Sequence, residues 1–330
     1  MNTQKRLIAE FEKQSYTQII FPHANTDWID YLDEAQTTFV NIINAIRKYQ
    51  KCLVVCNDAN AVKKRFEDEE NLLFAQFETN DTWARDCSAL CVEEEGKTRL
   101  LDFTFNAWGG KFEASKDNLL TRHLTPNAEI IDFALEGGGV ESNGVDAILT
   151  TTACMLNKNR NPNLNAAQIT QKLKECFGAT KILYLERGYL AGDDTDSHVD
   201  TLARFISEDA IAYVKCEDEG DEHYEELRLM ENELKAIARE NDYKLVTLPM
   251  SDAVYYDGER LPATYANFLF VNGAVLVPVY GVAQDEEALN IFRETFKDRD
   301  VVAIDCSVLI RQHGSLHCVT MNFASPLLSV

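Results

Sequence analysis

Four short segments of this 330-residue chain concentrate side chains that can bind charge, move protons or attack carbon. They are Asn80-Asp81-Thr82-Trp83-Ala84-Arg85-Asp86, Leu135-Glu136-Gly137-Gly138-Gly139, Gly192-Asp193-Asp194-Thr195-Asp196-Ser197-His198-Val199-Asp200 and His313-Gly314-Ser315-Leu316-His317-Cys318. On an extended backbone His198 and Asp200 would share a face, and a histidine beside a carboxylate suits acid–base chemistry or metal binding. A calcium loop starting at Asp194 would need glycine at its sixth position and glutamate at its twelfth, where this chain has Val199 and Phe205. The glycine run lacks the Lys-Ser/Thr ending of a phosphate-binding loop. It permits close backbone approach, with Glu136 just ahead of it as a fixed carboxylate.

Each segment also has a plainer account. Cys318, within Leu316-His317-Cys318-Val319-Thr320, fits a buried strand, on which His317 would face the other side. Asp86 beside Arg85 fits a local ion pair. Trp83 fits a pocket wall or the core, and Trp108 the core. Nine cysteines, an odd number, in a chain without a signal-peptide core read as free thiols. Cys52/Cys56 and Cys87/Cys91 have a spacing that metal sites use. The first pair, however, brackets an apolar, strand-like run in which cysteine is a small hydrophobe, so no zinc site is expected.

The elements that must position these groups alternate along the chain. Apolar periodicity predicts strands over 18–21, 51–56, 88–92, 98–105, 181–185, 201–205, 210–215, 244–248, 301–304 and 316–321. It predicts helices over 31–49, 61–71, 166–177, 222–241 and 285–296. Glu95-Gly96 and Asn272-Gly273 read as hairpin turns, and the acidic run 217–226 as a loop entering a helix whose dipole it suits. No linker divides the chain, and one domain over residues 1–330 is expected.

A net charge of −22, from 32 basic and 54 acidic residues, argues against nucleic acid. It suits a cationic ligand, though solubility alone would account for it. No apolar run approaches the length of a membrane helix, about 18 residues. A cytoplasmic protein, with no membrane partner, is expected.

Together the four segments resemble the agmatine deiminase and bacterial peptidyl-arginine deiminase family of the guanidine-modifying superfamily. The resemblance rests on Asn-Asp-x-Trp-x-Arg-Asp at 80–86, Glu-Gly-Gly at 136–138, Gly-Asp-Asp-Thr-Asp-x-His-Val-Asp at 192–200 and the terminal His317-Cys318. Further similar stretches are Phe21-Pro22-His23-Ala24-Asn25-Thr26-Asp27-Trp28, Leu156-Asn157-Lys158-Asn159-Arg160-Asn161-Pro162 and Ala266-Asn267-Phe268 to Val277-Pro278. The resemblance implies an α/β fold, the pentein propeller of pseudo-fivefold ββαβ units. It also implies hydrolysis of a guanidino C–N bond without cofactor or metal. Cys318 would attack as thiolate and form an amidino-thioether. Asp86 and Asp200 would grip the guanidinium, Glu136 would orient His198, and His198 would move the protons. Asp81 and Trp83 would help bind the substrate.

Agmatine, giving N-carbamoylputrescine and ammonia on a polyamine route to putrescine, is the expected substrate. Two stretches depart from the family pattern. Residues 136–144 read Glu-Gly-Gly-Gly-Val-Glu-Ser-Asn-Gly, where a Gly-Gly-Asn/Ser-Ile-His style is usual. Residues 312–316 read Gln-His-Gly-Ser-Leu, where Gly-Gly-Gly-Asn-Ile usually precedes His-Cys. Both flank the expected site and leave free arginine, peptidyl arginine or another guanidine open as substrate. Rival readings are an amidinotransferase, a zinc hydrolase using His198, Asp200 and a cysteine, and a non-catalytic binding protein. The partner is a small guanidino cation, and homo-oligomerisation is left open.

Overall fold

The computed structural model describes residues 5–325. Among these, alternating strand and helix patterns form an α/β fold with five mixed sheets of three or four strands, plus the small hairpin Tyr255–Tyr256/Glu259–Arg260. Each larger sheet contains an antiparallel pair, then a helix-bearing crossover, then a strand parallel to the second of the pair. The pairs are Leu90–Glu94 with Lys97–Thr104, Glu141–Ser142 with Ala147–Thr151, Ala203–Ser207 with Ala210–Lys215, Leu269–Val271 with Ala274–Val279, and Thr320–Phe323 with Tyr16–Ile20. The last joins the two ends of the chain.

The crossovers follow from strand physics, because parallel neighbours cannot be joined by a tight turn. Helices Leu32–Ile46, Ala166–Phe177, Tyr224–Asn241 and Gln284–Thr295 each lie between the strands of a parallel pair. Their apolar stripes face inward, with Phe39, Ile42, Ile43 and Ile46 buried on one and Leu227, Met230 and Leu234 on another. The buried apolar side chains form one contiguous core from Leu7 to Phe323. Among the described residues no helix is long and apolar enough to cross a membrane.

Three expectations need correction. The helix expected over 61–71 is only Ala59–Lys63, with Val62 its one buried residue; the charged residues after it have no apolar face to bury. The strand expected over 316–321 starts at Thr320, and residues 316–319 form a turn. His198 and Asp200 are not on a strand either. A single turn of 3-10 helix, Val199–Thr201, follows His198, and the strand begins at Ala203.

Helix Ala166–Phe177 opens on a reciprocal cap, in which the Asn165 side chain accepts from the Gln168 N–H at 3.0 Å and the Gln168 side chain from the Asn165 N–H at 2.9 Å. Asn165→Ala is expected to lower stability by about 1 kcal/mol in denaturant unfolding, with activity per folded molecule unchanged.

Candidate active site

The four reactive segments meet, and each lies immediately ahead of an antiparallel pair. Asp86 sits in Ala84–Cys87, Glu136 ahead of the short helix Gly137–Gly139, His198 and Asp200 around Val199–Thr201, and Cys318 in the turn before Thr320. A fifth lead-in segment supplies Asn267. Contacts link the five in a closed round. The Gly138 N–H donates to Asp86 Oδ1 at 2.9 Å, and His198 Nε2 lies 3.6 Å from Glu136 Oε2. Asn267 Nδ2 donates to the Asp200 carbonyl at 3.4 Å, and Asn267 Oδ1 accepts from the His317 N–H at 2.9 Å and faces the Cys318 thiol at 3.5 Å. The Arg85 N–H donates to the Cys318 carbonyl at 3.1 Å and closes the round.

Five candidate groups, Asp86, Glu136, His198, Asp200 and Cys318, are thus brought together, and all are buried. The glycine run makes this approach possible. A Cβ on Gly138 would lie 2.7 Å from His198 Nδ1 and 3.0 Å from both Asp86 Oδ1 and Asp200 Oδ2. The aspartate-rich loop serves local order, since Asp193 accepts from the backbone N–H groups of Thr195 and Ser197. Arg85 pairs with Glu10 at 3.0 Å and with Asn322, so Asp86 is free of it.

Burial of so many charges shifts them strongly. Burial raises Asp86, and Asp200 and Glu136 reinforce the rise against the pull of His198. Burial opposes ionisation of Glu136, but His198 and Arg160, whose Nε lies 2.7 Å from Oε2, hold it below the ordinary range. Burial opposes a charge on His198 too; Asp86, Cys154 and Glu136 outweigh it and hold the imidazolium well above its usual value. For Cys318, burial first and then Asp200 and Asp86 push the thiol well above 9. In the free protein the surroundings thus favour a neutral thiol and a charged imidazole.

A cavity of about 450 Å³ leads to Asp86 and Cys318, lined among others by Asp81, Trp83, Trp108, Phe112, Asp194 and His313. Trp83 donates from Nε1 to Asp81 at 2.7 Å, so both expected substrate-binding residues line it. Trp108, expected in the core, also lines it and donates from Nε1 to Asp86 Oδ2 at 2.9 Å. Its backbone has φ 54°, and that of Ala107 φ 52°. Such left-handed non-glycine residues cluster where function fixes a geometry. His313 has φ 64°, the region that favours glycine, and its Nδ1 meets the Gly192 carbonyl at 2.7 Å.

Among the described residues, the ligand atoms of Glu136, Cys154 and His198 lie within 4.8 Å of one another, close enough to share a metal ion. The Arg160 guanidinium already bound to Glu136 opposes a second cation there. Asp200 is not in that cluster; its Oδ2 faces His317 Nδ1 at 2.7 Å. Burial raises the thiols of Cys56 and Cys91 to about 11, as befits packed hydrophobes. Sequence reasoning assigned no role to Trp108, Cys154, Arg160 or Asn267. Arg160 and Asn267 lie in stretches that carry the family resemblance, which was the available signal.

Two outcomes follow from this geometry. Gly138→Ala pushes His198, Asp86 and Asp200 apart and is expected to cut activity on the order of 10²-fold, with thermal unfolding showing a folded protein. Inactivation by iodoacetamide, a neutral reagent, is expected to be slow at neutral pH and still accelerating above pH 9, because the thiolate fraction grows there; a rate already flat by neutral pH would mean a preformed thiolate.

Residues 6–324 match the family model described as Porphyromonas-type peptidyl-arginine deiminase. A C. jejuni agmatine deiminase with a Cys-to-Ser substitution, solved with substrate bound, is 40% identical, with a TM-score of 0.94 over 98% of this chain and 97% of that one. A Vibrio parahaemolyticus protein named "Putative agmatine deiminase" is 32% identical over 95% of each chain. An amidinotransferase of saxitoxin biosynthesis from Microseira wollei is 12% identical with a TM-score of 0.55 over 98% of each chain, a likeness of fold alone. The chain belongs to the Porphyromonas-type peptidyl-arginine deiminase family, alongside the agmatine deiminases, and is a hydrolase of amidine C–N bonds.

Proposed function

We propose that this protein converts agmatine to N-carbamoylputrescine and ammonia, with Cys318 as the nucleophile. The observation that carries the substrate is the sign of the cavity. Asp27, Asp81, Asp86, Glu113, Asp117 and Asp194 line it, and among the described residues no lysine or arginine does. Burial, with Asp27 and Asp117 nearby, raises Asp81 to about 8; burial raises Asp117 to about 6 against backbone N–H groups of Asn80 and Asp81. A ligand with a second positive charge relieves this crowding. The α-carboxylate of arginine would instead sit among like charges, which lowers affinity.

The guanidinium lies between Asp86 and Asp200, which bind its N–H groups. These are the two carboxylates that, with burial, keep the Cys318 thiol protonated. Neutralising them lowers the thiol pKa, so the thiol gives up its proton to solvent as the substrate binds, and the substrate itself promotes formation of its nucleophile. The thiolate attacks the guanidinium carbon, and His198, held as imidazolium, protonates a terminal nitrogen. The C–N bond breaks, ammonia leaves and an amidino-thioether remains. His198, now neutral, takes a proton from water, which attacks the same carbon. The C–S bond breaks, the hydroxyl proton of the adduct passes to the departing sulfur, Cys318 returns as the thiol, and the product is the ureido compound. Glu136 keeps His198 oriented. The C. jejuni relative with a serine for a cysteine and substrate bound supports the nucleophile.

The same reading makes the fold a pentein propeller of five ββαβ-type units within one domain, residues 1–330. Its support is the repeated pair, crossover and parallel strand of the five sheets and the closed round of contacts among their lead-in segments. The protein is read as cytoplasmic, with a place in polyamine biosynthesis toward putrescine.

Incubation with agmatine, arginine and an arginyl peptide, measuring ammonia and ureido product, tests the reading. Agmatine is expected to exceed arginine at least about tenfold in kcat/KM, the equivalent of ~1.4 kcal/mol. Cys318→Ala is expected to be inactive, and added amines to leave the product unchanged. Faster turnover of arginine overturns the substrate, and full activity of Cys318→Ala overturns the nucleophile.

A further inference from the structure

Beneath the cavity lies a buried group of charged side chains that the reaction above does not use. Glu10 lies 3.0 Å from Arg85, 3.3 Å from Arg204 and, through Oε2, 2.6 Å from His317 Nε2. Arg204 also pairs with Glu141. The other ring nitrogen of His317, Nδ1, lies 2.7 Å from Asp200 Oδ2. None of these side chains is more than 9% exposed.

Both nitrogens of His317 therefore face carboxylate oxygens. An ionised carboxylate only accepts hydrogen bonds, so both nitrogens must donate, and only the imidazolium does so. Charge balance points the same way. With an imidazolium, Arg85, Arg204 and His317 offset Glu10, Glu141 and Asp200. A neutral ring would leave one buried negative charge uncompensated, which is unfavourable in a medium that solvates it poorly. Arg85 and Arg204, 3.0 and 3.3 Å from the Glu10 carboxylate, favour its ionised form over a proton shared with His317.

We propose that His317 stands as a permanent imidazolium clamped between Glu10 and Asp200, and that it positions Asp200 for the guanidinium. The ring takes Oδ2 and leaves Asp200 Oδ1 buried without a partner among the described residues, the one oxygen of that carboxylate still able to receive a substrate N–H. The Asn267 amide fixes the same turn from the backbone side. His317 is thus a positioning residue acting through Asp200, and Glu10 extends its hold to the N-terminal segment. The inference rests on the reading of Asp200 as a guanidinium-binding carboxylate.

Two measurements test it. Nitrogen-15 histidine spectra of the whole protein at about pH 8, well above the ordinary histidine value of about 6.5, read the ring directly. A ring protonated on both nitrogens is expected, its signal shifted by Glu10→Gln and absent from His317→Gln; a singly protonated His317 overturns the proposal. Agmatine affinity is then measured by calorimetry in a Cys318→Ser background. Glu10→Gln and His317→Gln are each expected to weaken it at least about tenfold, as is Asp200→Asn, with circular dichroism unchanged. If His317→Gln does not fold, Glu10→Gln and the spectrum of the unaltered ring decide. Weakening in Asp200→Asn with normal affinity in the folded clamp variants overturns the positioning role alone. Normal affinity in Asp200→Asn overturns the role of Asp200 itself, and the clamp's purpose with it.

Discussion

A guanidinium is held by carboxylates, and carboxylates withdrawn from water must be compensated before the substrate arrives. That constraint organises the centre of this protein. Asp86 takes N–H groups from Trp108 and Gly138, Glu136 takes Arg160, and Asp200 takes His317. Behind His317 a further shell of Glu10, Arg85, Arg204 and Glu141 balances the charge. Compensation is incomplete at the atoms nearest the proposed chemistry: among the described residues Glu136 Oε1, His198 Nε2 and Asp200 Oδ1 are buried without hydrogen-bond partners. Those are the atoms left available to substrate and water.

The architecture answers the same constraint. No single helix or strand could bring three carboxylates, an imidazole and a thiol to one point, because neighbours on one element are spread along it. Here each of the five sheets lends the short segment ahead of its antiparallel pair, and the segments touch end to end. Most of the site sits on turns and single helical turns, which can aim side chains at angles a regular element does not allow, while the sheets behind hold them rigid. The cost appears locally, as the left-handed backbone of Ala107, Trp108, Asp196, Ser197 and His313.

The electrostatics couple binding to reactivity. Buried carboxylates beside Cys318 make its thiolate unfavourable in the free protein, and under the proposed function the ligand that removes the penalty is the cation to be attacked. The outer cavity extends the same negative field outward, which accords with a net charge of −22. Under the proposed function one feature, negative potential around a thiol kept neutral, serves both the choice of ligand and the timing of the nucleophile.

Much of the fold and of the site was legible along the chain. Apolar periodicity placed the strand Lys51–Cys56, the helix Ala166–Phe177 and the strand Ala210–Lys215, because each is fixed by short-range pattern and caps. The four dense segments named Asp86, Glu136, His198, Asp200 and Cys318, since those residue types at those positions resemble one family's motifs. Periodicity failed where the chain leaves regular structure: His198, Asp200, His317 and Cys318 read as strand residues and lie in turns. Folding in three dimensions sets that Trp108, packed in the core, also turns its Nε1–H to Asp86, that Asn267 clasps the turn of Cys318, and that Glu10 reaches His317 across 307 positions. The reason is physical. A local pattern reports burial and backbone preference, whereas the partner of a buried charge is set by distance in the folded chain.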